Sequence, residues 1–246
     1  MSPRRLPSPG RSRHIAVMAN ASLSLNGFRD AIRMNHSLTA AHEKRALIWM
    51  AARTPRWISS DHLSALGVAA MAAAGAAYWM SRASRWWLLA VVACLALNWL
   101  GDSLDGTLAR FRNRQRPRYG FYLDHVLDAL GVAFLLGGLA LSGYVAPLVA
   151  LGLLAAYLML MVEAVLATYT MGEFRMSFAW FGPTELRIVL ALGTLALWRN
   201  PMPLLFGVRW RLFDLAGAIA IAGMLAVFLV AAARNTARLY REEPLP

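Results

Sequence analysis

Residues 102–128 read DSLDGTLARFRNRQRPRYGFYLDHVLD and lead from the end of one apolar run, residues 86–100, into the start of a second, residues 121–142. The chain has 246 residues and only 13 acidic ones, yet Asp102, Asp105, Asp124 and Asp128 all fall in this window. Asp102 and Asp105 are three residues apart at the end of the first run, and Asp124 and Asp128 four apart at the start of the second. Both spacings place a pair on one face of a helix. The linker is short and polar, with Pro117 and Gly120 as breakers. An antiparallel helix pair joined by it brings the two acidic faces together.

Clustered carboxylates at the ends of membrane spans repel one another and are costly to desolvate, so they call for a compensating cation. Hard divalent ions such as Mg²⁺ or Mn²⁺ prefer carboxylate oxygen. Four carboxylates suit two such ions, which lie about 3.5–4 Å apart in two-metal sites and there neutralise a phosphate-bearing substrate. Gly106 and Ala109 follow on the same helix face and leave room for a ligand. Arg110 adds a forked cation suited to phosphate. An isolated D-x-x-D at a helix end is ordinarily a solvated cap; four acids together with Gly106, Ala109, Arg110 and Gly120 point to chemistry instead.

The surrounding sequence supplies the setting. Hydrophobic residues make up 59% of the chain and charged residues 15%, against about 45–50% and about 25% in soluble domains. A water-soluble fold of this size would struggle to hide so much apolar surface, disorder of the whole chain is excluded, and the balance indicates a helical membrane protein. Apolar stretches at residues 63–80, 86–100, 121–142, 145–169, 184–198 and 212–233 predict six spans. A bilayer core takes roughly 20 helical residues, so the second and fifth must run into their charged flanks. The expected architecture is all-α: an integral membrane bundle of six transmembrane helices over residues 58–238. Residues 39–57 are predicted to form an N-terminal interfacial amphipathic helix, in which Leu47, Ile48, Trp49 and Met50 mix with Glu43, Lys44, Arg45 and Arg53. Pro55 ends it, and Trp57 follows as an interfacial aromatic. Residues 1–38 read as a basic, disordered tail and residues 239–246 as a C-terminal tail.

The net charge is +12. In so apolar a chain this excess is read as attraction to anionic lipid headgroups, not to nucleic acid. Twenty of the 25 Lys and Arg residues fall on one side of the six predicted spans. The positive-inside rule then places both termini and the acidic cluster on the cytoplasmic side of the cytoplasmic (inner) membrane. Cys94 is the sole cysteine, so no internal disulfide can form.

Outside the cluster the signals are weaker. The fifth stretch opens with Gly182, Pro183, Thr184, Glu185, Leu186 and Arg187, and Pro183 suits a first helical turn. Glu185 and Arg187 either contact an acceptor headgroup or pair with other charges, and Glu163 is a further candidate. Arg116 and Arg118 either hold a phosphate or face anionic lipid. His125 points about 100° of helix turn away from Asp124, which favours packing over ligation. Asp61 or Ser60 is expected to cap the first span.

The pattern resembles the signature of the CDP-alcohol phosphotransferase (CDP-alcohol phosphatidyltransferase) family, D-x2-D-G-x2-A-R-x8/9-G-x3-D-x3-D. Asp102, Asp105, Gly106, Ala109, Arg110, Gly120, Asp124 and Asp128 fill every fixed position, with nine residues between Arg110 and Gly120. The match spans 27 residues. The resemblance implies transfer of a substituted phosphate from a CDP-alcohol to an alcohol acceptor with release of CMP. It implies that Asp102, Asp105 and Asp124 hold two divalent ions, Mg²⁺ or Mn²⁺. Asp128 would be the general base and a further metal contact. Asp105, Gly106, Ala109, Arg110 and Gly120 would lie along the CDP moiety, with Glu185, Arg187 and Arg118 toward the acceptor. A homodimer is the family's habit. The expected reaction is transfer of a phosphatidyl group from CDP-diacylglycerol to a small polar alcohol. The alternatives are a CDP-choline or CDP-ethanolamine:diacylglycerol phosphotransferase and, more remotely, an ion-coupled transporter.

Overall fold

The computed structural model describes residues 40–171, 183–205 and 208–243. The predicted tail over residues 1–38 and the last three residues of the chain lie outside the described residues. Within them the chain forms helices α1 (Ala40–Arg53), α2 (Ser60–Met80), α3 (Trp87–Phe111), α4 (Pro117–Ser142), α5 (Pro147–Met171), α6 (Pro183–Arg199) and α7 (Leu212–Glu242). A two-residue hairpin pairs β1 (Leu204–Leu205) with β2 (Val208–Arg209). Five helices, α2, α3, α4, α5 and α7, are long and apolar enough to cross a bilayer. α6, which arises from the fifth apolar stretch, has 17 residues and is shorter than these.

Several boundaries differ from the sequence reading. α3 does continue through the charged flank to Phe111, so D-x-x-D-G-x-x-A-R is helical throughout. α4 begins at Pro117, not near residue 121. Proline at the first helical position forfeits no intrahelical hydrogen bond and presets φ, so here it starts the helix, whereas the sequence reading makes it a breaker in the linker. The cap of α2 is Ser59, not Ser60 or Asp61. Ser59 is extended, its hydroxyl accepts from the His62 amide, and His62 Nδ1 accepts from the Ser59 amide at 3.1 Å. α7 runs on to Glu242, beyond the apolar stretch that ends at residue 233. Its 31 residues span about 46 Å, longer than the roughly 30 Å hydrocarbon core.

α2 is the spine of the bundle and packs along both α3 and α4. Glycine lets the backbones touch. A Cβ on Gly101 would stand 2.6 Å from the Leu63 carbonyl oxygen, and one on Gly138 would collide with the backbone of Gly75. Apolar helices in lipid gain little from hydrophobic attraction, so close backbone approach of this kind supplies much of their association. Tyr78, Leu88, Val91, Leu139, Val145, Leu197 and Phe213 belong to the main core, at the end of the bundle away from the acidic helix ends. There Tyr78 Oη and Thr194 Oγ1 lie 2.6 Å apart and tie α2 to α6. A second core joins Leu47 and Ala51 of α1 to Leu63, Leu104 and Leu108.

The outer surface is apolar. Leu130, Phe134, Leu148, Leu151, Val162, Leu166, Ile219, Leu229 and Val230 are exposed. Water does not tolerate so large an apolar girdle, but a bilayer requires one. The protein is an integral membrane protein.

Candidate active site

The site forms where α3 ends and α4 begins. A five-residue connection, 112–116, reverses the chain, with Asn113 in the left-handed region at φ 53°. Arg112 fixes the connection by donating to the carbonyls of Ile58, Thr54 and Pro55 at 2.5, 2.8 and 2.9 Å. One guanidinium thus joins the end of α3 to the segment between α1 and α2.

Asp102, Asp105, Asp124 and Asp128 all line one cavity of about 1820 Å³. Gly106, Ala109, Arg110, Arg118, Gly120 and Arg187 line it too. The sequence-predicted residues are therefore brought together, except that the Glu185 side chain lies outside the described residues. The four acids act on one another through their charges. Asp128 feels Asp102, Asp124 and Asp105, with Arg187 opposing them. Among the described residues no three carboxylate, imidazole or thiol groups converge closely enough to hold a cation as they stand. The donor set nonetheless fits hard divalent ions, being all carboxylate oxygen on two facing helix ends around one cavity.

Each acid is held differently. Asp105 is buried; its Oδ2 accepts from Ser64 Oγ at 2.6 Å and its Oδ1 from the Gly106 amide. Asp102 Oδ2 pairs with Arg187 Nη2 at 2.6 Å. Arg187 Nε also donates to Asn98 Oδ1 at 2.8 Å, and Asn98 Nδ2 donates to the Gly67 carbonyl at 3.0 Å. A chain of hydrogen bonds thus runs from the α2 backbone through Asn98 and Arg187 to Asp102. Asp128 is open to the cavity. Tyr157 of α5 also lines the cavity and lies within electrostatic reach of Asp128, Arg187 and Asp102.

The glycines leave space where ligand would pass. A Cβ on Gly120 would meet nothing within 4 Å. At Gly106 it would stand 3.4 Å from Arg110 Nη1, so the missing side chain lets that guanidinium fold back along its helix. Arg110 Nη2 donates to Thr107 Oγ1 at 3.3 Å. At the cavity mouth Arg116 grips both oxygens of Asp61 at 2.6 Å and stacks over Tyr119 at 4.1 Å. Its hydrogen bond to Asp61 holds the guanidinium pKa above its ordinary value. Asp61, expected as a cap, instead anchors this arginine. His125 Nδ1 lies 2.7 Å from the Phe121 carbonyl and its ring packs on Phe121, the packing role expected of it. Glu163, the remaining candidate, accepts from Asn235 Nδ2 at 2.6 Å and so ties α5 to α7.

The cavity does not end at the acids. Leu95, Leu135, Leu139, Leu160, Leu190 and Phe213 continue its wall. Asp124 and Leu139 both line it from α4, and 15 residues of helix separate them, about 22 Å of depth. A charged mouth therefore leads into an apolar channel reaching the far core.

Ser64, Asn98 and Tyr157 were not singled out by sequence. Asn98 did carry a signal, being a lone amide in an apolar run one turn before Asp102. Ser64 and Tyr157 carried none, because serine and tyrosine are unremarkable in a membrane helix.

Comparison with curated proteins finds no match. The model of the CDP-alcohol phosphatidyltransferase family matches residues 59–233, more than two thirds of the chain and the whole of α2 to α6. A signature filled at every fixed position, a cavity that gathers its acids and a match of this extent agree: the chain belongs to the CDP-alcohol phosphatidyltransferase family, membrane transferases of phospholipid synthesis that act on CDP-alcohols.

Proposed function

We propose that this protein is a phospholipid synthase that transfers a phosphatidyl group from CDP-diacylglycerol to a small polar alcohol and releases CMP. The observation that carries this reading is one cavity about 22 Å deep from Asp124 to Leu139, with carboxylates at its mouth and an apolar far end. A donor with a nucleotide head and two acyl tails matches both halves. Asp102, Asp105, Asp124 and Asp128 would hold two divalent ions, Mg²⁺ or Mn²⁺. When bound, such ions neutralise a diphosphate and stabilise a departing phosphate.

The chain's own groups do the rest. Ser64 and the Gly106 amide fix Asp105, and Asn98 with Arg187 fixes Asp102, so both carboxylates are preorganised before substrate arrives. Arg110, Gly106, Ala109 and Gly120 border the path of the CDP moiety. Asp128, open to the cavity, takes the proton of the acceptor hydroxyl. The hydroxyl oxygen bonds to the phosphorus distal to cytidine, and the bond from that phosphorus to the CMP oxygen breaks. Arg187 stands on the acceptor side and favours an acceptor with an anionic group, with Arg118 further out.

The topology that accompanies this reading has six crossing helices, α2 to α7. α1 lies in the interface, with Ile48 and Trp49 exposed and Leu47 and Ala51 docked on the bundle. Both termini and the cavity mouth face the cytoplasm across the inner membrane.

The test is CMP release by purified protein from CDP-diacylglycerol with glycerol 3-phosphate, serine, inositol or inositol phosphate, the lipid formed being identified by mass. A parallel arm supplies CDP-choline or CDP-ethanolamine with diacylglycerol. CMP release only in the first arm supports the proposal, release only in the second reverses donor and acceptor, and ion flux without CMP release replaces the enzyme by a transporter.

A further inference from the structure

The first turn of α6 is held against α3 along two parallel rows. Arg187 reaches Asn98 and Asp102, four residues apart on α3. Trp99 and Ser103, each one residue further along, form the second row. Trp99 Nε1 and Ser103 Oγ donate to Glu43 Oε1 at 2.9 and 3.4 Å, and Thr184 Oγ1 donates to the same oxygen at 3.1 Å. An indole N–H can only donate, so Trp99 cannot be satisfied by another donor. The carboxylate on α1 supplies the acceptor that donors on α3 and α6 share. Thr184 and Arg187 are three residues apart and therefore on one face of α6.

We propose that Glu43 is a positioning residue for the acceptor side of the site. By gathering Trp99, Ser103 and Thr184 on one oxygen it sets the start of α6 against α3, and so sets where Arg187 stands beside Asp102. Glu43 touches no substrate and acts through Thr184 and Arg187. The inference rests on the reading of Arg187 as the acceptor-side cation. Hydrogen bonds to an ionised acceptor are stronger than neutral ones, yet glutamine keeps the Oε1 acceptor and preserves the geometry. Leu47 and Ala51 dock α1 independently of Glu43, so its loss leaves the bundle assembled.

The experiment uses the full-length protein in lipid nanodiscs as wild type, Glu43→Ala and Glu43→Gln. Hydrogen–deuterium exchange is read at the amides of residues 184–190, since Pro183 has none, and KM is measured for CDP-diacylglycerol and for the acceptor that supports transfer in the panel above. Glu43→Ala is expected to speed exchange there and raise acceptor KM, each about tenfold, the scale of one lost hydrogen bond to a charged group. KM for CDP-diacylglycerol stays unchanged, and Glu43→Gln restores both readouts. Unchanged exchange in Glu43→Ala, equal rises in both KM values, or a glutamine variant as perturbed as alanine overturns the proposal. Should Glu43→Ala not fold, Thr184→Val removes only the α6 contact and is expected to give the same pattern; wild-type behaviour there overturns it. A wild type that releases no CMP refutes the proposed transfer alone, and the exchange data then decide the role of Glu43.

Discussion

Arg187 Nη2 lies 2.6 Å from Asp102 Oδ2, joining α6 to the first acid of the signature across 85 residues of chain. The same guanidinium donates through Nε to Asn98, so its fork is used in two directions at once. Lysine offers a point charge without that fork. Arg187→Lys is expected to raise acceptor KM by about 10- to 100-fold, the range for lost hydrogen bonds to charged groups, with a smaller effect on KM for the CDP-alcohol. Steady-state kinetics with each substrate varied in turn checks this; equal effects on both KM values would mean that Arg187 serves the whole site.

Asp128 is open to the cavity while Asp105 is buried and Asp102 is paired. A general base needs access to its proton, and general acid–base catalysis is worth about 10²–10⁴-fold. Asp128→Asn is expected to lower kcat by that factor while nucleotide binding persists. Calorimetric titration with a CDP-alcohol, set beside turnover, separates the two. Full activity in the variant would remove Asp128 as the base.

The Asp quartet was legible because helical spacing is a local property. Three and four residues apart means one face, whatever the rest of the chain does. The contacts that hold the quartet were not legible. Glu43 meets Trp99 across 56 residues and Thr184 across 141, and only the docking of three helices brings them together. Asp61 was expected to cap its own helix, but tertiary packing gave it Arg116 as a partner and left the cap to Ser59. Pro117 misled for a different reason: proline breaks a helix interior but suits its first turn, and sequence does not say which position it holds. The hairpin pairing Leu204 with Arg209 and Leu205 with Val208 is too short to leave any periodic trace.

Arg112 binds three carbonyls between α1 and α2. Arg112→Ala leaves those carbonyls without their donor and frees the segment. Limited proteolysis is expected to cut residues 54–58 faster in the variant, by about tenfold for a loss near 1.4 kcal/mol when opening is fast. An unchanged cleavage rate would show that the segment is held by packing alone.

Gly138 and Gly75 meet backbone to backbone where α4 crosses α2. Gly138→Leu forces these helices apart and strains the crossing, at a cost of about 1–3 kcal/mol or more. The variant is expected to lose thermal stability in detergent, whereas Gly223→Ala, where a Cβ meets nothing within 4 Å, keeps it. Equal melting temperatures for the two variants would contradict the close crossing.

On the proposed function, the four aspartates lining one cavity hold divalent ions around a diphosphate. The most direct measurement is CMP release from CDP-diacylglycerol and a competent acceptor after exhaustive chelation, followed by addition of Mg²⁺ or Mn²⁺, alongside Mn²⁺ binding followed by electron paramagnetic resonance in wild type and Asp102→Asn. The expected result is no CMP in chelator, recovery with either ion, and weaker Mn²⁺ binding in the variant. Undiminished CMP release in chelator, or Mn²⁺ binding unaltered by Asp102→Asn, would contradict it.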